Sequence, residues 1–190
     1  MDNPRDSYPA ADLREQAVYM LTQAAPMMDM TPDEARLVLD VMRPVHLLAD
    51  TLLFEEGDTQ DNNYMVLVLE GQVRATSAGV PGDEVVISVI GPGSLLGEMG
   101  VIDGGPRSAT CTALTDVKLG VLSREAFMGL IKTQPAAASR LALALSKGLA
   151  DRLRESNRRL RTLSQVTRAL QAELDAVHAV NRRLLDAHGF

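Results

Sequence analysis

The chain of 190 residues contains one cysteine, Cys111, and three histidines, His46, His178 and His188. A single cysteine excludes a disulfide framework within the chain and fits a reducing compartment. In the run Ala109-Thr110-Cys111-Thr112-Ala113 it reads as a strand residue and not as a redox centre. Metal-dependent chemistry needs several His and carboxylate ligands converging on one ion. With His46 at the start of a strand-rich region and the other two histidines near the C-terminal end, no such cluster can be drawn. No nucleophile stands beside a base, and Ser123-Arg124-Glu125 reads as a helix start, so neither catalysis nor a metal or cofactor is expected. Long apolar runs are missing too. None approaches the roughly 20 residues that span a bilayer, and the N-terminus has neither the basic start nor the apolar core of a signal peptide. A soluble, cytoplasmic protein with no membrane partner is expected. The formal charge of -6 argues against a nucleic-acid surface covering the whole protein, though it allows a local one.

What is present is a hydrophobic content of 46%, ample for one ordinary domain with a long additional element. Residues 1–9 are polar and proline-containing and are expected to be flexible. Helical spacing then places Leu13, Ala17, Val18, Met20 and Leu21 on one face until Pro26. Thr31-Pro32-Asp33-Glu34 supplies a cap, a first-turn proline and an acidic first turn for a second helix that runs toward Pro44. From Val45 to Leu122 the pattern changes to short apolar runs between glycine and acidic turns. Leu52 to Phe54, Tyr64 to Leu69, Val73 to Thr76, Val85 to Ile90, Ala109 to Ala113 and Val117 to Leu122 read as strands of an antiparallel sandwich or barrel.

The stretch from Gly91 to Thr112, GPGSLLGEMGVIDGGPRSATCT, carries the chemistry. Gly91, Gly93, Gly97 and Gly100 permit close backbone approach and positive φ, so that amides from Leu96 to Met99 can turn toward a small anion at a helix start. Arg107, behind Pro106, offers a planar fork of donors that matches two phosphate oxygens. Glu98 would repel a phosphate but is suited to accept hydrogen bonds from a sugar hydroxyl. Asp103-Gly104-Gly105 supplies the turn between the short helix and the arginine. Phosphate plus ribose implies a nucleotide. A surface Glu-Arg pair beside a turn is the alternative, and the glycines, the proline and Ser108-Ala109-Thr110 together weigh against it.

This constellation resembles the phosphate-binding cassette of cyclic-nucleotide-binding domains, the family of the catabolite activator protein and the protein kinase A regulatory subunit. Leu53-Phe54-Glu55-Glu56-Gly57-Asp58 and Leu67-Val68-Leu69-Glu70-Gly71-Gln72-Val73 resemble two further signatures of the family, in the right order. The resemblance implies a mainly β fold with flanking helices: an eight-stranded antiparallel jelly-roll barrel, N-terminal helices and a long C-terminal helix. It implies that Glu98 takes the ribose 2'-hydroxyl and Arg107 the exocyclic phosphate oxygens. Leu96, Gly97, Met99 and Ser108 would complete the cassette with backbone or hydroxyl donors. Domain boundaries follow as 10–134 for the nucleotide-binding domain, with helices over 11–44 and the barrel over 45–122, and 135–188 for the long helix. Ser108 after the arginine resembles cyclic-AMP receptors more than cyclic-GMP receptors, so cyclic AMP is the favoured ligand and cyclic GMP the other candidate.

The C-terminal stretch has a second pattern. With Leu153 at an a position, a is Leu153, Leu160, Thr167, Leu174, Asn181 and His188, and d is Ser156, Leu163, Leu170, Val177 and Leu184. An asparagine at a with leucines prevailing at d favours a parallel two-stranded coiled coil and hence a parallel homodimer. The alternative is an amphipathic helix folded back on its own domain. From about Ala136 to Ala187 the helix would be on the order of 80 Å long, with Gly148 a candidate bend. In the family the helix after the barrel covers the base and moves with ligand, which makes Leu145 to Asn157 the expected lid and Arg152 and Leu153 the expected neighbours of the base. Family transcription factors add a winged helix-turn-helix, whereas here the periodic helix runs to Phe190, so a stand-alone form is expected. The basic cluster Arg152, Arg154, Arg158, Arg159, Arg161 and Arg168 reads as a solvated helix face, with Glu55 and Glu56 as available partners, and nucleic acid is not the expected partner. The reading is a non-enzymatic cyclic nucleotide sensor that signals through its helix to a protein effector. A ligand-independent scaffold with a degenerate site, or a DNA-binding regulator, are the alternatives.

Overall fold

The computed structural model describes residues 10–23, 30–78 and 84–188, although the side chains of 10–12, 84, 176, 179–181 and 183–188 are outside that description. The expected flexible segment 1–9 and the break at Pro26 lie outside the described residues. Two compact units are present, Met1–Lys147 and Gly148–Phe190.

In the first unit, α1 spans Ala10–Gln23 and α2 spans Pro32–Asp40. Thr31 caps α2 through a complete capping box, accepting from the Glu34 amide while the Glu34 side chain accepts from the Thr31 amide. The helix stops at Asp40 and not at Pro44. Met42 ends the turn that follows, and Pro44 already belongs to β1, Arg43–Leu47. β1 is an edge strand, where the missing proline N–H is tolerated.

The strands that follow are β2 (Leu52–Phe54), β3 (Tyr64–Glu70), β4 (Val73–Ala78), β5 (Glu84–Ile90), β6 (Leu95–Leu96), β7 (Thr110–Ala113) and β8 (Val117–Ser123). They form two antiparallel four-stranded sheets, in the orders β1-β8-β3-β6 and β2-β7-β4-β5. Strand one pairs with eight, two with seven, three with six and four with five, the nested pairing of a jelly roll. Period-2 alternation is visible on β7 and on β4 as far as Ala75, whereas β3 is buried along Met65–Leu69 because helices cover its outer face.

The apolar interior is therefore double. Between the sheets lie Phe54, Val66, Val68, Val73, Ala75, Leu96, Cys111, Ala113, Val117 and Leu119. Cys111 is in no disulfide and is buried in its strand. Outside the first sheet a second cluster joins α1 and α2 to β3 and β8. It also takes in Val101 of α3 (Glu98–Asp103), Phe127 and Leu130 of α4 (Arg124–Thr133), and Ala137, Leu141 and Leu145 of α5 (Pro135–His188). Ser123 caps α4, accepting the Ala126 amide at 3.1 Å. α5 runs from Pro135 to His188 with Gly148, the candidate bend, within it.

In the second unit, three arginines of the basic cluster pair locally along the helix. Arg154 bonds Asp151 at 2.8 Å, and Arg158 and Arg159 share Glu155 at 3.6 and 3.2 Å. In the first unit the Glu56 carboxylate accepts from the Ser77 hydroxyl and the Ala78 amide at 2.8 Å each.

Candidate functional site

β6 delivers the chain to the site. It pairs with β3 at Leu96–Val66 and Leu95–Leu67, after which the chain turns through Gly97, whose φ is 76°, into α3. A Cβ on Gly97 would overlap Nη1 of Arg107, approach Phe54 Cζ to 2.9 Å and Tyr64 O to 3.2 Å. Both the left-handed backbone and the missing side chain are thus required there. Gly100 has a different reason, since a Cβ on it would overlap the Asn62 carbonyl oxygen. Of the other two glycines, Gly93 has positive φ while Gly91 faces open space. α3 ends on Gly104 in the left-handed region, and Asp103 Oδ1 accepts the Gly105 amide at 2.7 Å, which closes the turn expected from Asp103-Gly104-Gly105.

Arg107 is held at the centre. The residue is 4% exposed, and its guanidinium carbon lies 4.0 Å from the Phe54 ring centroid and 4.8 Å from that of Tyr64. Nε and Nη2 donate to the Asp61 carbonyl at 3.1 and 2.5 Å, and Nη1 donates to the carbonyls of Tyr64 and Gly97, both at 3.0 Å. Of the five guanidinium N–H groups, these bonds use four. Burial lowers the proton affinity of Arg107 below the ordinary arginine range, an effect countered by Tyr64 and Asp58. Burial likewise raises the Tyr64 phenol above its ordinary range, against the pull of Arg107. The arginine is kept charged by its strong intrinsic basicity and by four carbonyl dipole contacts, an arrangement that favours a cation in a water-poor setting.

The loop between β2 and β3 is tied to the cassette by its backbone. The Gly57 amide donates to Arg107 O at 2.8 Å and the Arg107 amide donates to Asp58 O at 2.9 Å. Asn62 Nδ2 donates to Gly104 O and Gly105 O at 2.8 and 3.0 Å. Phe54, Asp61, Asn62 and Tyr64 are therefore part of the site, although sequence patterning points to none of them in this role.

The remaining expected residues distribute as follows. Glu98 opens α3 and is 3% exposed. Its Oε2 accepts no hydrogen bond, while the residue is engaged through other interactions. An acid in the first turn is favoured by the helix dipole. Leu96 is buried among the residues between the sheets, so its side chain belongs to the core. Met99 and Ser108 are exposed. Arg152 and Leu153 belong to the second unit and are exposed on α5. The structure thus brings together Gly97, Glu98 and Arg107 on one short segment, a buried cation and a buried carboxylate nine residues apart. Among the described residues no group of three His, Cys, Asp or Glu side chains is arranged to hold a metal, and no described helix is long and apolar enough to cross a membrane.

A jelly roll whose sixth strand feeds a glycine-led helix and a buried arginine defines a class. Residues 44–134 match the cyclic nucleotide-binding domain family. The chain is 35% identical over 135 residues to the cyclic AMP receptor protein of Thermus thermophilus, covering 71% of this chain and 60% of that protein. A cyclic nucleotide-binding domain of known structure from Methylobacillus flagellatus is 30% identical with a TM-score of 0.71, over 78% of this chain and 82% of that one. The regulatory domain of Toxoplasma gondii PKA, solved with cAMP, is 26% identical with a TM-score of 0.58, over 72% and 50% of the two chains. The chain belongs to the cyclic nucleotide-binding domain family. It spans about three fifths of the length of the curated Thermus relative.

Proposed function

We propose that the protein is a cyclic nucleotide receptor, with cyclic AMP as its ligand, and that it signals through α5 without catalysis of its own. The single observation that carries this reading is the buried juxtaposition of Arg107 with Gly97 at the start of α3, one residue before Glu98. Arg107 takes the exocyclic phosphate oxygens and Glu98 the ribose 2'-hydroxyl, with the backbone of Leu96, Gly97 and Met99 and the hydroxyl of Ser108 completing the cradle. Cyclic AMP is preferred over cyclic GMP on the serine that follows Arg107 and on the names of the relatives, which include a cyclic AMP receptor protein.

A phosphate reaching Arg107 finds one uncommitted N–H and must displace carbonyl partners for a bidentate grip. Releasing the Gly97 carbonyl frees the entry to α3, whose Val101 sits in the same apolar cluster as α4 and the first turns of α5. Ligand capture thereby shifts α3 against α4 and α5 and repositions the helix from Leu145 onward, by as much as the ligand's affinities for the two states differ. In this reading the leucine seam of α5 joins two copies in parallel and presents the change to a protein effector in the cytoplasm.

A second reading has its own support. The backbone carbonyls that hold Arg107 are what a structural clamp would use, and a barrel kept closed this way can serve as a ligand-independent scaffold. Hydrogen exchange along α5, measured with and without cyclic AMP on nucleotide-stripped protein, separates the two. A receptor changes protection in residues 141–157 on addition of ligand, and a scaffold does not.

A further inference from the structure

Outside the nucleotide site, α5 carries six arginines from Arg152 to Arg168 against two acids in the same stretch, Asp151 and Glu155. Both acids are used near its beginning. Asp151 pairs with Arg154 at 2.8 Å, and Glu155 serves Arg158 and Arg159 at 3.6 and 3.2 Å. Arg161 and Arg168 have no acidic residue three or four positions away on either side, the spacing at which side chains of one helix meet. Ser164 stands between them, three residues after Arg161 and four before Arg168. It is thus a neighbour of both, separated by about 4.5 and 6 Å of helix rise.

The hydroxyls along this helix are not alike. Thr162 donates to the Arg158 carbonyl at 3.3 Å and Thr167 to the Leu163 carbonyl at 2.9 Å. Among the described residues no such bond engages the Ser164 hydroxyl, and the residue is exposed. Thr162 differs further, since the two arginines one turn before it, Arg158 and Arg159, already share Glu155. Ser164 alone combines an open hydroxyl with two cations that have no counter-charge within a turn. A phosphoryl group there would add about −1.5 to −2 charge at pH 7 and three acceptor oxygens, which suit two guanidinium forks.

We propose that Ser164 is a phosphorylation site, read by a serine/threonine kinase that recognises basic segments, and that Arg161 and Arg168 hold the phosphoryl group once it is in place. Arg158, Arg159 and Arg161 stand six, five and three residues before the serine, a charge pattern of the kind such kinases select. Ser164 Oγ forms the new P–O bond to the γ-phosphorus of a nucleoside triphosphate. The bond to the β-phosphate oxygen breaks, the hydroxyl proton passes to the kinase's carboxylate, and the nucleoside diphosphate leaves. From Ser156 to Asp175 every residue is exposed in the single chain, so the segment opens locally at little cost to enter a kinase cleft. Ser164 flanks the leucine row at an e position and is neither a nor d. Modification neutralises the two uncompensated arginines and so removes the basic character of this part of α5.

The test has two arms on the full chain. Incubation with magnesium ATP and a panel of serine/threonine kinases selective for basic segments is expected to transfer one phosphoryl group, located at Ser164 by mass spectrometry and lost in Ser164→Ala. Transfer to Thr162 or another hydroxyl instead, or none by any kinase of the panel, overturns the site. In the second arm, phosphoserine installed at position 164 during synthesis is titrated by phosphorus NMR. Two nearby cations favour the dianion, so its second pKa is expected below the ordinary value of about 6 and returns toward it in the Arg161→Gln, Arg168→Gln double variant. An ordinary value in the parent chain, or a lowered one that the double variant leaves unchanged, overturns the cradle.

Discussion

Arg107 lies over the ring of Phe54, its guanidinium carbon 4.0 Å from the ring centroid, so the charged group of the cassette rests on the apolar interior of the barrel. Phe54 belongs to β2 and is itself buried between the sheets. The arginine proposed to take the phosphate and a core residue are in this way one packing unit, and disturbance of either is felt by both. Phe54→Leu keeps an apolar side chain but removes the π face and part of the volume. The expected loss is about 1–3 kcal/mol of stability by urea unfolding, together with weakened nucleotide binding.

Gly97 is constrained twice, by its φ of 76° and by Arg107, Phe54 and Tyr64 standing where a Cβ would go. Gly97→Ala is expected to cost about 1–3 kcal/mol from backbone strain alone, and more where Arg107 is pushed from its carbonyl partners. Urea unfolding of the variant reads the stability, and an unchanged midpoint would contradict the geometry described.

Asn62 joins the loop before β3 to the turn after α3 through two donated hydrogen bonds. Asn62→Asp sets an anionic acceptor against two carbonyl oxygens. We expect a loss of about 1–3 kcal/mol, larger than that of Asn62→Ala, when the two are compared by thermal unfolding.

Tyr64 gives a pH signature. Burial first of all raises its phenol pKa in the folded chain, so the neutral form is the one the fold prefers. The sign follows by linkage: stability from this group is complete below the unfolded tyrosine range of about pH 10 and is lost as pH rises through the higher folded value. Alkaline unfolding curves should therefore shift to higher pH in Tyr64→Phe, which has no proton to lose. The hydroxyl donates to Leu53 O at 3.2 Å, so the variant is expected to lose about 0.5–1.5 kcal/mol at neutral pH.

Much of this architecture is legible in the sequence. Tyr64 to Leu69 and Val117 to Leu122 read as strands because β-branched and aromatic residues are bounded by turn residues, and Thr31 reads as a cap because Pro32 and Glu34 follow it. Glu98 and Arg107 stand out for a similar reason, since charged residues bracketed by glycine and proline are unusual. β6 does not stand out, because a strand of two residues has no period. The roles of Asp61 and Asn62 are hidden more deeply. Asp61 and Tyr64 hold Arg107 by carbonyl oxygens that every residue has, and only the fold decides which carbonyl is presented. Pro44 misleads for the opposite reason: a residue that ends helices also fits an edge strand, and the helix had stopped at Asp40. The apolar repeat of α5 is plain from its heptads, but periodicity describes one helix and not what lies across from it.

The central claim is that this site captures a cyclic nucleotide through Arg107. Its most direct test is calorimetric titration of cyclic AMP and cyclic GMP into protein stripped of nucleotide by unfolding and refolding, with Arg107→Ala as control and its folded state checked by urea unfolding. The account predicts micromolar or tighter binding of cyclic AMP that is weakened by about 2–4 kcal/mol in a folded Arg107→Ala variant. No heat with either nucleotide, or an affinity that the variant leaves unchanged, would contradict it and make the barrel a scaffold.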